Sequence, residues 1–206
     1  MKKVILMLVG LVVAGQMATG AEARVVALAT SGDVDGELVA RVAEYVRTHA
    51  QVTLRPTDPV AAEAGEDLNV IGRRAAGALK EDELGVLVLG QFGEDQPQGI
   101  CLPPERFGIL NLSRHAAGEV EMDRLARRAG QDSLRVMALL VGMSPCPFPL
   151  CVLAGFEKTE DLDRMSGNYC PPCQDRFARL AREAGLELTP TAPADEAGAG
   201  ELPAVE

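Results

Sequence analysis

Four of the five cysteines, Cys146, Cys151, Cys170 and Cys173, fall within 28 residues of a 206-residue chain, and no other feature restricts its fold as tightly. The spacing is C-x4-C, eighteen residues, then C-x2-C. Two close pairs separated by a short insertion suit tetrahedral zinc: each pair supplies half of the tetrahedron and the insertion folds back to join them. Pro145, Pro147 and Pro149 stiffen the first pair, Pro171 and Pro172 the second, which lowers the chain entropy lost on closing the site. The expected cofactor is one structural zinc. Two other readings of the same thiols stay open. They are two disulfides, should the chain reach an oxidising compartment, and redox chemistry at Cys170-Pro-Pro-Cys173. Against redox chemistry, a thioredoxin-like domain carries its C-x-x-C near its start, whereas only 33 residues follow Cys173. Cys101 stands apart in a Gly/Pro-rich stretch and reads as a small buried hydrophobe rather than a nucleophile.

The start of the chain bears on that choice. Lys2 and Lys3 precede an apolar run from Val4 to Gly15, and Ala21-Glu22-Ala23 supplies a small-x-small cleavage pattern. This is the arrangement of a secretory signal peptide over residues 1–23, with an apolar run too short for a comfortable transmembrane helix. The mature chain is expected to begin at Arg24 and to be exported, periplasmic or extracellular; an uncleaved membrane anchor is the alternative. The formal charge of −10 argues against nucleic-acid binding, which needs a basic footprint. An aromatic content of 3% without Trp argues against a stacking platform for sugars or bases.

Residues 24–30 read as a buried strand and 31–36 as a turn. Leu38, Val42, Tyr45 and Val46 then recur at helical spacing, with Asp33 as candidate N-cap. The Asp33-x-Asp35-Gly36 cluster lacks the later oxygen ligands of a calcium loop, so a capping role is preferred. Residues 51–55 alternate like a strand, 56–66 form a loop, and Leu68 to Leu79 a helix. A strand at 84–89, a Gly/Pro loop at 90–106 and a strand at 107–112 follow. Val120 to Val141 is a long helix that Gly130 can interrupt, with a buried second half, and Arg176 to Ala184 a short helix closed by Gly185. Residues 189–206 are expected to be a disordered acidic tail. Strands alternating with helices predict an α/β layer fold over 24–188, with a mixed, mostly parallel sheet followed by the cysteine segment.

The stretch from Arg135 to Cys173 resembles the archaemetzincin signature: H-E-x-x-H-x-x-G-x-x-H-C, then x4-C-x-M, a longer gap and C-x-x-C. In that family the three His hold a catalytic zinc and the Glu is the general base. The first two His share one helix face, and the cysteines hold a second, structural zinc. On this chain the four cysteines and Gly142 match, with the last gap one residue shorter. The catalytic positions do not match. Arg135 stands at the first His, Val136 at the Glu, Leu139 at the second His and Pro145 at the third, and Leu153 replaces the Met. The turn from Gly32 to Asp35 and the 107–114 strand also look similar, so the likeness spans most of 24–180, though only the cysteine block is specific. It implies a metzincin-like α+β arrangement.

A catalytic zinc needs three protein ligands and an open water position. Leu, Val and Pro side chains cannot ligate, and Arg is cationic at any working pH. The chain has two His in all, His49 and His115, so no three-His set exists. The resemblance therefore implies a catalytically inactive zinc-binding domain. Its former cleft is expected to be filled by packed side chains, with Arg135 reaching solvent or an ion-pair partner. The expected partner is a peptide or protein laid along an edge strand near 107–113. A hydrolase with a reassigned active site, and a disulfide-stabilised exported structural protein without metal, are the alternatives.

Overall fold

The computed structural model describes residues 23–116 and 120–189. Apart from Ala23 and Thr189, the expected signal peptide and the expected tail lie outside the described residues. Strand alternation sets the layers. In β1 (Val25–Ser31), Val26 and Leu28 face one side of the sheet, while Ala27 and Ala29 face the other. Both sides are covered, which is why the central strands are continuously apolar rather than alternating. With β2 (Leu54–Pro56), β3 (Glu83–Gly90), β4 (Gly99–Leu102) and β5 (Phe107–Asn111), the sheet has the order β2-β1-β3-β5-β4. All neighbours are parallel except β4, which pairs antiparallel with β5. The mixed, mostly parallel α/β arrangement expected from the sequence is the one observed.

Helix α1 spans Gly36–Ala50, α2 Leu68–Gly77, α3 Leu112–His115, α4 Met122–Leu140 and α5 Pro171–Glu183. Leu68, Ile71 and Ala75 of α2 cover the face that carries Ala27, Val88 and Ile109. On the opposite face α1, α4 and α5 pack over Val26, Leu28, Leu87 and Leu110. This second core continues into the cysteine segment, which therefore shares one hydrophobic interior with the sheet. Among the described residues no helix is long and apolar enough to cross a membrane.

Several sequence expectations are corrected. The N-cap of α1 is Asp35, not Asp33: its side chain accepts the Glu37 amide at 2.8 Å. Gly130 does not interrupt α4, because it is where Tyr45 of α1 lies close. A Cβ at Gly130 would meet the Tyr45 ring at 2.5 Å. The Gly/Pro loop over 90–106 contains β4 and a 3-10 turn at Pro103–Glu105. The strand near 107–113 is consequently not an edge. β5 lies between β3 and β4, and β4 is the edge strand. Finally, α5 begins at Pro171 rather than Arg176, with Cys170 as N-cap and proline in the first helical positions, where the missing N–H costs nothing.

At its other end α4 stops on Gly142, in the left-handed region at φ 86°. The Gly142 amide donates to Leu139 O and the Met143 amide to Ala138 O, each at 2.9 Å. This double closure is a Schellman turn. It takes the chain off the helix axis directly into the first cysteine pair.

Candidate metal centre and adjoining cleft

Beyond Met143 the chain folds on itself. The Cys146 amide donates to Leu153 O at 3.0 Å and the Ala154 amide to Cys151 O at 2.8 Å. The Val152 amide reaches Asn168 O at 3.1 Å, which brings the second cysteine pair beside the first. Tyr169, buried next to Cys170, donates its hydroxyl to Leu134 O of α4 at 2.6 Å and stacks on Phe177 with ring centres 5.1 Å apart. As a result the sulfurs of Cys146, Cys151, Cys170 and Cys173 all lie within 4.8 Å of one another. Cys146 Sγ and Cys170 Sγ are 3.9 Å apart, close to the edge of about 3.8 Å of a tetrahedron with zinc–sulfur bonds near 2.3 Å. All four are free thiols. Backbone amides point at them: Phe148 N–H at Cys146 Sγ and Cys170 N–H at Cys151 Sγ, both at 3.4 Å. The Cys173 amide holds the Cys170 thiol below its ordinary pKa, while burial raises Cys151 and Cys173. The donor set, its spacing and its N–H···S contacts fit a zinc ion, which would deprotonate all four thiols on binding.

On the other side of the same loop, under the edge strand, is a cleft of about 430 Å³. The expectation that packed side chains fill this space is not met. Arg135, Val136 and Leu139 of α4 all line the cleft, together with Asp132, Gln98, Arg114 and residues of β4. Pro145 lies outside it, exposed at the head of the cysteine loop, and Leu153 is buried in the core.

Arg135 is ion-paired, as expected, but it does more. Its Nη1 donates to Val152 O at 3.0 Å and to Ala154 O, the two carbonyls that flank Leu153. Its Nε lies 3.4 Å from Asp132 Oδ1, and the guanidinium sits 4.8 Å from the centre of the Phe156 ring. Burial lowers the pKa of Arg135, and Asp132 and Cys151 oppose that shift; a guanidinium remains a cation throughout. At the positions Arg135, Val136 and Leu139 the cleft face of α4 therefore presents a fixed positive charge and two hydrocarbon side chains, none of which can donate an electron pair to a metal; the one carboxylate of α4 there, Asp132, is engaged by Arg135, Gln98 and His115.

Behind them is a buried polar group that sequence reasoning missed. His115 is fully buried; its Nδ1 lies 2.9 Å from Asn111 O and its Nε2 2.9 Å from Asp132 Oδ2. A carbonyl can only accept, so Nδ1 donates to Asn111 O, and Nε2 faces the Asp132 carboxylate. The ring has no free nitrogen left to act as a base. Cys101 lines the cleft, half-buried, and burial pushes its thiol up to about 12. A Cys–His nucleophile needs a low thiol pKa and an available imidazole, and neither is present. The sequence signals for this network are faint: His115 is four residues after Asn111, the cap of α3, and Asp132 three before Arg135 on one face of α4.

No protein-family description matches this chain, and neither does any curated protein. Solved structures do. An archaemetzincin from Methanopyrus kandleri superposes with a TM-score of 0.64 at 16% identity, covering 77% of this chain and 96% of that one. A zinc-dependent peptidase from Methanocorpusculum labreanum gives a TM-score of 0.62 at 16% identity, covering 74% and 99%. An archaemetzincin from Archaeoglobus fulgidus, complexed with malonate, gives 0.55 at 14% identity, covering 73% and 99%. The chain has the archaemetzincin fold, with a four-cysteine cluster that can bind a metal.

Proposed function

We propose that this chain is an exported, non-peptidase binding protein on an archaemetzincin fold. One structural zinc at Cys146, Cys151, Cys170 and Cys173 holds its C-terminal third, and its cleft receives an extended peptide. The observation that carries the reading is the cleft face of α4, where Arg135, Val136 and Leu139 stand in a row. Hydrolysis by zinc needs ligands and a bound water at that place; a guanidinium there repels a dication. Support for a peptide comes from β4. It ends the sheet and, among the described residues, pairs on one side only. Such an edge accepts a further strand through its backbone N–H and C=O groups.

The test is zinc analysis of the mature protein together with a peptidase assay. One zinc per chain and no chelator-sensitive turnover are expected. Two zinc ions per chain, with turnover that stops on chelation, would overturn the non-peptidase reading. Metal-free protein whose mass shows two disulfides would overturn the zinc.

A further inference from the structure

We propose that the cleft selects peptides that end within it, by taking the free C-terminal carboxylate against Arg135 and Arg114; this rests on the peptide reading above. Two guanidinium groups from different helices border the same cleft. Both are tethered before any ligand arrives. Arg135 is held by the Val152 and Ala154 carbonyls, and Arg114 Nη1 donates to Glu94 O at 2.8 Å. Tethered donors lose little entropy on binding, and a guanidinium matches a carboxylate with paired, charge-assisted hydrogen bonds.

Of the two carboxylates that line the cleft, one is already engaged. Asp132 is already engaged by His115, by Gln98 Nε2 at 3.3 Å and by Arg135. The other, Glu157, is exposed, so the cleft lining offers the two arginines no buried carboxylate that is not already engaged.

The same contacts fix the direction of the peptide. Gln98 immediately precedes β4, and its contact with Asp132 places Arg135 beside the start of that strand. A strand added antiparallel to β4 ends at that point, whereas a parallel one begins there. The carboxylate therefore belongs to a peptide that runs antiparallel to β4 and stops at Arg135. The backbone of a peptide passing through would offer neutral amides, not a carboxylate, to both guanidiniums.

The experiment compares two pools of short random-sequence peptides on the zinc-loaded mature protein, identical except that one ends in a free carboxylate and the other in an amide. The free acids are expected to bind about tenfold tighter or more, and Arg114→Gln and Arg135→Gln are each expected to remove most of that preference. Arg114 is exposed, so Arg114→Gln alone decides the matter should Arg135→Gln lose its zinc or its fold. Equal binding of the two pools overturns the carboxylate proposal and leaves the peptide reading standing. Binding of neither pool overturns both. A preference for acids that survives Arg114→Gln overturns the assignment to these arginines.

Discussion

The loop from Cys151 to Ala154 is gripped from two sides, and the two grips differ in kind. On one side four sulfurs within 4.8 Å of one another can close on a metal. On the other, Arg135 holds the Val152 and Ala154 carbonyls. The difference is that one grip needs an ion to close it, whereas the other is complete in the side chain itself. The strongest way to break this comparison is to remove the metal. Chelation, or Cys170→Ser, is expected to destabilise the protein by several kcal/mol, because affinity for a site absent from the unfolded chain is folding energy. For a chain of this size that lowers Tm by about 10 °C or more. Hydrogen exchange should show residues 143–183 opening first while β1, β3 and β5 stay protected. A chelator that leaves the C-terminal third protected would mean the sulfurs do not organise it.

Arg135→Met tests the other grip. It keeps most of the side-chain volume and removes every donor. The Val152 and Ala154 carbonyls lose their partner and Asp132 loses its cation, for an expected cost of about 2–4 kcal/mol, read from urea unfolding. Zinc content should not change, since the cysteine cluster keeps all its ligands. A cost below about 0.5 kcal/mol, the level of an ordinary surface substitution, would show that Arg135 only lines the cleft.

The two sites were not equally legible in the sequence. The cysteine cluster was readable because its ligands are local: two tight pairs and one short gap specify it whatever the rest of the chain does. The faces of β1 and β3 were readable because both are buried and apolar. The cleft was not, because its parts come from distant segments. Gln98, Arg114 and Asp132 meet only through the sheet order, and nothing in their own neighbourhoods marks them. β4 is four half-buried residues inside a Gly/Pro-rich stretch; the short apolar run Ile100-Cys101-Leu102, between Gly99 and Pro103, was its one signal. With β4 missed, β5 looked like an edge. Pro171 and Pro172 were read as loop stiffeners, although proline in the first turn after a capping position also marks the start of a helix.

A third attachment ties the segment after the cleft to α4, and it sharpens the ranking of the grips because an ion pair is at its centre. Arg128 holds Asp163 through two hydrogen bonds, Nε to Oδ1 at 3.0 Å and Nη2 to Oδ2 at 2.6 Å, and Arg127 donates to Asp163 O at 2.7 Å. The Arg128 guanidinium keeps the Asp163 carboxyl below its ordinary pKa. A depressed carboxyl stabilises the fold fully above its unfolded pKa, about 3.9, and that contribution falls away as the pH drops through the lower folded value. Asp163→Asn should therefore be less stable than the native chain at pH 7 by about 1 kcal/mol, the scale of a partly exposed ion pair. The gap should narrow below about pH 4, where the native carboxyl also loses its charge. Release of zinc by acid affects both proteins alike, so the difference between their unfolding curves isolates Asp163. A gap that stays constant through acid would mean the segment is held by the Arg127 contact and its packed residues, leaving the metal and Arg135 as the two attachments that matter.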